Sequence, residues 1–125
     1  MLHHISIAVT DLDRAATFYD AVLTPLGYAR VFTGDEAVGY GYAGQDDRLL
    51  LNLEDRVNIP GEGFHLAFAA TDPEHVNLFH AAALRHGGRC NGKPGPRPDY
   101  GHGYYAAFVF DPDGYRIEAV INQAQ

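Results

Sequence analysis

The chain has 125 residues, of which 46% are hydrophobic, so it can form one compact core but not two independent domains of ordinary size. Its net charge of −7 argues against nucleic acid or an anionic membrane as a partner and favours a small molecule. The single cysteine, Cys90, can form no internal disulfide, and no segment resembles a signal peptide or a membrane span. We therefore expect a soluble, cytoplasmic protein.

The first half of the chain predicts one βαβββ unit. Residues 4–9 alternate β-branched with small or polar side chains, which indicates a strand. Asp11 can cap a helix from Leu12 to about Leu23, which Pro25 and Gly27 would end. Three further strands are predicted at residues 28–33, 37–43 and 48–53, because Gly- and Asp-rich turns separate them.

The second half predicts the same order after a link at residues 55–63. A strand at residues 64–70 leads to a helix that begins near Asp72 and ends at His86. A short strand from Arg89 is expected to pass into a Gly- and Pro-rich loop at residues 92–103 that lies over a pocket. Strands at residues 104–110 and 115–121, joined by a tight turn, complete the unit.

The two halves repeat one another without a gap. Moving the sequence by 61 positions superposes identical residues, namely His4 on His65, Ala8 on Ala69, Thr10 on Thr71, Asp11 on Asp72, Phe18 on Phe79, Ala21 on Ala82, Leu23 on Leu84 and Gly27 on Gly88. We therefore predict two tandem modules, at about residues 1–56 and 62–125, within a single domain of residues 1–125. Each module opens with a histidine on a strand.

Those two histidines and one carboxylate are the candidate metal ligands. Glu118 lies in an apolar strand, where an unpaired carboxylate would be costly. Together, His4, His65 and Glu118 would form a two-histidine, one-carboxylate metal site with positions open to substrate. The alternative is that the histidines are structural and that Glu118 pairs with Arg116 or Arg48 at a solvated edge.

Other side chains are expected to surround this site. Ser6 shares the face of His4, and a strand residue of the same parity, Asn52, faces the same cavity, so both are candidates for substrate binding. On or beside the predicted loop lie five further candidates. Tyr100, His102 and Tyr105 are candidate catalytic groups, Tyr104 is a candidate substrate-binding group, and Arg97 could bind a substrate carboxylate or phosphate.

Two features of the second module are interpreted as having no part in chemistry. Cys90 is taken as a small strand residue, because nothing near it in sequence marks an activating base. His75, His80 and His86 lie on different faces of the predicted helix and are expected to be solvated.

Three segments together resemble the vicinal oxygen chelate superfamily, which includes glyoxalase I, fosfomycin-modifying enzymes, extradiol dioxygenases and bleomycin-binding proteins. They are residues 4–19, the His-Leu-Ala-Phe of residues 65–68, and the Asp-Pro-Asp-Gly-Tyr-Arg-Ile-Glu of residues 111–118. The resemblance implies an α+β fold in which two βαβββ modules form an open, curled, mixed β-sheet around a cavity, often in a homodimer. It also implies that His4, His65 and Glu118 bind one divalent ion, which could be Zn, Ni, Mn or Fe(II).

One departure from the family pattern narrows the expected function. Glyoxalase I enzymes carry a fourth ligand, usually glutamate, on the last strand of the first module, and residues 48–53 contain no carboxylate. Either Leu50 or Asn52 occupies that place. We expect a metal-dependent lyase, isomerase or dioxygenase that acts on a small oxygen-chelating substrate and is not a classical glyoxalase I. The alternative is a non-catalytic binding protein of the bleomycin-resistance kind.

Overall fold

The first module is a four-stranded sheet covered by one helix. In a computed structural model that describes residues 1–123, its elements are β1 (Ile5–Val9), α1 (Leu12–Leu23), β2 (Ala29–Thr33), β3 (Ala37–Gly41) and β4 (Leu49–Leu53). The strand order is β1-β4-β3-β2, with β1 parallel to β4 and the other pairs antiparallel. The side chain of Asp11 caps α1 by accepting a 3.0 Å hydrogen bond from the Arg14 amide.

The second module repeats this arrangement. Its elements are β5 (Leu66–Ala69), α2 (Pro73–Arg85), β6 (Arg89–Pro96), β7 (Tyr104–Phe110) and β8 (Arg116–Asn122). The strand order is β5-β8-β7-β6, so β5 occupies the position that β1 has in the first sheet. The expected α+β fold of two βαβββ modules with open sheets is confirmed, with the strands divided between two four-stranded sheets.

The predicted loop at residues 92–103 is wrong in its first part. Strand β6 continues to Pro96, and the connection to β7 is limited to residues 97–103, which include a short 3-10 turn at Pro98–Tyr100. The strand tolerates its glycines and prolines because it lies at the sheet edge, where it pairs on one side only, and because its register shifts twice between Cys90 and Gly95.

A shared core holds the two modules together. Helices α1 and α2 pack against each other and against one face of each sheet, and the buried side chains form one continuous cluster. Hydroxyl groups also donate hydrogen bonds between the modules, among them those of Tyr28 to the Ala69 carbonyl and of Tyr115 to the Ala8 carbonyl, each at 2.8 Å. The opposite face of each sheet, which we call its open face, is not covered by an α-helix within residues 1–123.

Neither α1 nor α2, nor any shorter helix in residues 1–123, is long and apolar enough to cross a membrane.

Candidate functional site

His4 and His65 occupy equivalent places in the two sheets. Each immediately precedes an edge strand, β1 for His4 and β5 for His65, and each of these strands pairs in parallel with the last strand of its module. The sequence repeat is therefore also a repeat of position in the fold.

Glu118 is the buried polar centre of the second open face. Its residue is 1% exposed, and its Oε1 lies 2.8 Å from the Nε2 of His65, whose side chain is 51% exposed. The other oxygen, Oε2, accepts a 2.7 Å hydrogen bond from the hydroxyl of Tyr104. Each carboxylate oxygen thus has a partner, as a buried carboxylate requires.

The phenol of Tyr104 keeps its proton in this arrangement. Its pKa is raised to about 12, first by burial and then by the hydrogen bond to Glu118 and the negative charge of that carboxylate. At neutral pH, Tyr104 is therefore a hydrogen-bond donor fixed beside Glu118.

A cluster of two aromatic rings and one guanidinium group lies beside Glu118 and Tyr104 on the open face. Phe108 is paired with Glu118 across β7 and β8, so the two side chains lie on the same face. The guanidinium carbon of Arg97 lies 5.3 Å from the centre of the Phe108 ring, and the exposed ring of Tyr100 contacts both Phe108 and Tyr104. Arg97 also donates to the carbonyls of Lys93 and Pro96, so its guanidinium is held beside the site.

His4 lies apart from this pair within the chain. Its Nδ1 is 2.8 Å from the Nδ1 of His3. Among residues 1–123, no three side chains of His, Cys, Asp or Glu are arranged so that they could hold a metal ion. The chain thus brings together two of the three expected ligands, His65 and Glu118.

A cavity of about 430 Å³ connects the two histidines. It lies between the modules, and both His4 and His65 line it. Much of the remaining wall is aromatic or apolar, and three of its residues, Tyr28, Tyr40 and Tyr42, were not predicted from the sequence. Their signal was weak, since each lies in or just outside a short strand whose neighbours in the fold could not be read from sequence spacing.

The remaining expected site residues divide into two groups. Ser6 and Asn52 lie on the open face of the first sheet, because their strand neighbours Ile7 and Leu51 are buried against the core on the other face. His102 is exposed in the turn before β7. Tyr105 is a correction, because its hydroxyl donates to Asn77 of α2 at 2.8 Å and so lies on the helix side, away from Glu118.

The strand register identifies the first-module residue that corresponds to Glu118. In the second sheet, Glu118 is paired with Ala67, two residues after His65. In the first sheet, the residue two after His4 is Ser6, and it is paired with Leu50. Leu50, not Asn52, therefore occupies the place equivalent to Glu118, and its side chain offers no ligand atom.

With fold and geometry established, comparison with known proteins identifies the family. The family model of the Glyoxalase/Bleomycin resistance protein/Dioxygenase superfamily matches residues 1–119, and the chain belongs to this superfamily. A comparison with curated proteins finds no match.

Solved structures agree with this assignment. A glyoxalase/bleomycin resistance protein from Albidiferax ferrireducens T118 is 30% identical, with a TM-score of 0.80 and 94% of each chain covered. A glyoxalase-related enzyme from Fulvimarina pelagi is 23% identical, with a TM-score of 0.75, covering 98% of this chain and 88% of that one. A glyoxalase I mutant from Zea mays is 24% identical, with a TM-score of 0.67, and the match covers 95% of this chain and 45% of that one. The last two likenesses concern the fold alone.

Proposed function

We propose that the protein is a divalent-metal-dependent enzyme that acts on a small substrate able to chelate a metal through oxygen atoms. The observation that carries this proposal is the buried carboxylate of Glu118 in contact with the imidazole of His65. A carboxylate and an imidazole are ligands that zinc and other divalent ions accept. Their contact on a sheet face without a helix suits a metal site better than a purely structural ion pair, because His65 is half exposed to solvent.

The third ligand in this proposal is His4 of the partner subunit in a homodimer. The open faces of both sheets carry exposed small side chains, including Ser6, Ala67 and Ala69, which a second copy could cover. A two-fold axis that set the first module of one copy against the second module of the other would create two equivalent sites. Each site would contain one His4 and, from the other chain, His65 and Glu118.

The residues of the site would have distinct roles. A bound divalent ion would polarise a substrate carbonyl or stabilise a developing enolate or alkoxide. The hydroxyl of Tyr104 orients Glu118 and holds a proton at its Oη, because its pKa is raised to about 12. Arg97 would bind a substrate carboxylate or phosphate, and Tyr100 would cover an apolar part of the substrate.

The reaction is proposed to be of the lyase, isomerase or dioxygenase type and not that of classical glyoxalase I. The support is Leu50, which occupies the first-module place that corresponds to Glu118. Without a carboxylate there, a metal-bound base of the glyoxalase I kind is missing, and one more coordination position is left for substrate or solvent.

A second candidate function is non-catalytic binding of a small molecule, as in bleomycin-resistance proteins. The cavity of about 430 Å³ favours it, since its wall includes three tyrosines and several aliphatic residues. Pockets of this size and character bind small organic ligands.

Calorimetric titration of metal-free protein with Zn, Ni, Mn and, without oxygen, Fe(II) separates the two candidates. We expect saturable binding of at least one ion to the wild type and at least about tenfold weaker binding to Glu118→Gln and His65→Gln. The matched control is His86→Gln, which changes a histidine at the end of α2. Equal binding by the wild type and both site variants would contradict the metal proposal and favour the binding protein.

A further inference from the structure

His80 and Cys90 form a side-chain pair at the outer edge of the second module. The Nε2 of His80, on α2, lies 3.2 Å from the Sγ of Cys90, on β6. His80 is only 9% exposed, whereas Cys90 is exposed to solvent. The burial of His80 corrects the expectation that it is solvated. Cys90 lies in a strand, as expected, but the imidazole beside it comes from a residue ten positions earlier in the sequence. A solvent-exposed cysteine is thus in hydrogen-bond contact with a buried imidazole.

This pair is separate from the candidate metal site. Cys90 is paired with Val109, and Val109 with Ile117, so these three residues share the face of the sheet that packs against α2. Glu118 follows Ile117 in β8 and faces the opposite side. A second copy seated on the open faces would therefore not cover the sulfur.

The surroundings of the pair keep the imidazole of His80 in its neutral form, in which one ring nitrogen has a free lone pair. Burial lowers the pKa of His80, and the positive charge of Lys93, which is exposed on β6, lowers it further. The imidazole is therefore neutral at pH 7. In the tautomer that carries its proton on Nδ1, the free lone pair of Nε2 meets the S–H of Cys90.

We propose that Cys90 and His80 form a reactive thiol site that exchanges with low-molecular-weight disulfides. The Cys90 proton moves to Nε2 of His80, and the thiolate attacks one sulfur of the disulfide. The disulfide's S–S bond breaks as the mixed disulfide with Cys90 forms, and the second sulfur leaves as a thiolate that can recover the proton from His80. One S–S bond is broken and one is made, so no further oxidant is needed.

The probe for this site is the chromogenic disulfide DTNB, whose leaving thiolate is coloured. A thiol with an ordinary pKa of about 8.5 is only about 3% thiolate at pH 7, which sets the rate of an unassisted cysteine. We expect the second-order rate constant of folded wild type at pH 7 to exceed that of the same protein unfolded in urea, and to exceed that of His80→Gln by roughly tenfold.

Two controls make the result specific. Cys90→Ser should release no coloured product, and His86→Gln, which alters the histidine that caps the C-terminal end of α2, should react like the wild type. The unfolded wild type supplies the unassisted reference even if His80→Gln folds poorly. The proposal is overturned if the folded wild type reacts no faster than the unfolded protein and its rate rises tenfold per pH unit up to the pKa of an ordinary thiol.

Discussion

The hydroxyl of Tyr19 donates a 2.6 Å hydrogen bond to the Oδ2 of Asp111, and this bond ties the helix of the first module to the β7–β8 turn of the second. Both residues are buried. The other oxygen of Asp111 accepts from the amides of Asp113, Gly114 and Tyr115 and so fixes the turn that leads into β8. Strand β8 carries Glu118. The carboxylate of Asp111 therefore both joins the two modules and positions the strand of the candidate site.

Removal of the Tyr19 hydroxyl should destabilise the protein measurably. In Tyr19→Phe, the Oδ2 of Asp111 would remain buried without its donor, which costs roughly 1–3 kcal/mol in the free energy of unfolding. Urea denaturation measures this quantity. The matched control is Tyr42→Phe, since Tyr42 is 47% exposed, and its change should stay within about 0.5 kcal/mol. Equal stability of the two variants would contradict the role given to the Tyr19–Asp111 bond.

Gly88 should tolerate no side chain, because a Cβ there would lie 2.8 Å from the Phe110 carbonyl oxygen and 2.9 Å from that of Ala83. We expect Gly88→Ala to lower the free energy of unfolding by about 1–3 kcal/mol through this overpacking. Gly61→Ala is the control, since a Cβ at Gly61 meets nothing within 4 Å. Equal stability of Gly88→Ala and Gly61→Ala in urea denaturation would contradict the close packing of Gly88 between the Ala83 carbonyl of α2 and the Phe110 carbonyl of β7.

The stability of the protein should depend on pH through His80. Its pKa is lower in the folded state, by burial and by Lys93, than the value of about 6.5 expected when unfolded. Below about pH 6.5 the unfolded state therefore binds more protons than the folded state, so this histidine removes stability as the pH falls toward the folded pKa. The free energy of unfolding of wild type, measured against His80→Gln from pH 8 to pH 5, should decline relative to the variant. A constant difference would contradict the lowered pKa.

Much of the fold follows from local signals in the sequence. The bounds of α1 match the prediction at both ends because Asp11 caps the helix and the apolar spacing ends at Leu23. Strand β7 also matches at both ends. The extent of β6 could not be read in the same way, since whether a strand containing Gly and Pro stays paired depends on its neighbour β7.

The candidate site was only partly predictable for a related reason. The repeat relates His4 to His65 by position in the fold, but it does not say whether the two histidines of a proposed metal site would come from one copy of the chain or from two. Leu50 and Asn52 lie two residues apart and so face the same side of the strand, which made either a candidate for the place equivalent to Glu118. Only the pairing of Ser6 with Leu50 shows that Leu50 occupies this place. The pairing of His80 with Cys90 likewise depends on how α2 lies against β6.

The register leads to a gain-of-function prediction at Leu50. A carboxylate at this place would supply the fourth ligand that the resemblance implies for glyoxalase I. Leu50→Glu should therefore tighten metal binding by at least about tenfold, and Asn52→Glu, two residues further along the same face, should not. Calorimetric titration gives this comparison without any substrate.

The same two variants test the reaction. The wild type should show negligible isomerisation of the hemithioacetal of methylglyoxal and glutathione, and Leu50→Glu should raise it, since a positioned base contributes about 10²- to 10⁴-fold. Robust activity in the wild type would contradict the proposal that the chain lacks the glyoxalase I base because Leu50 occupies the place of a carboxylate.

The central proposal is a metal site shared between two copies of the chain. Its most direct test is complementation between two variants that each lack one metal ligand. His4→Ala and Glu118→Ala chains, each with a different affinity tag, are co-expressed, and the mixed dimer is isolated through both tags. Each variant alone should bind no metal at this site, because every site lacks one ligand. In the mixed dimer, one site loses both residues and the other regains all three, so about one ion per dimer is predicted by elemental analysis. A mixed dimer that binds no metal, or a wild type that is monomeric by light scattering at micromolar concentration, would contradict the shared site.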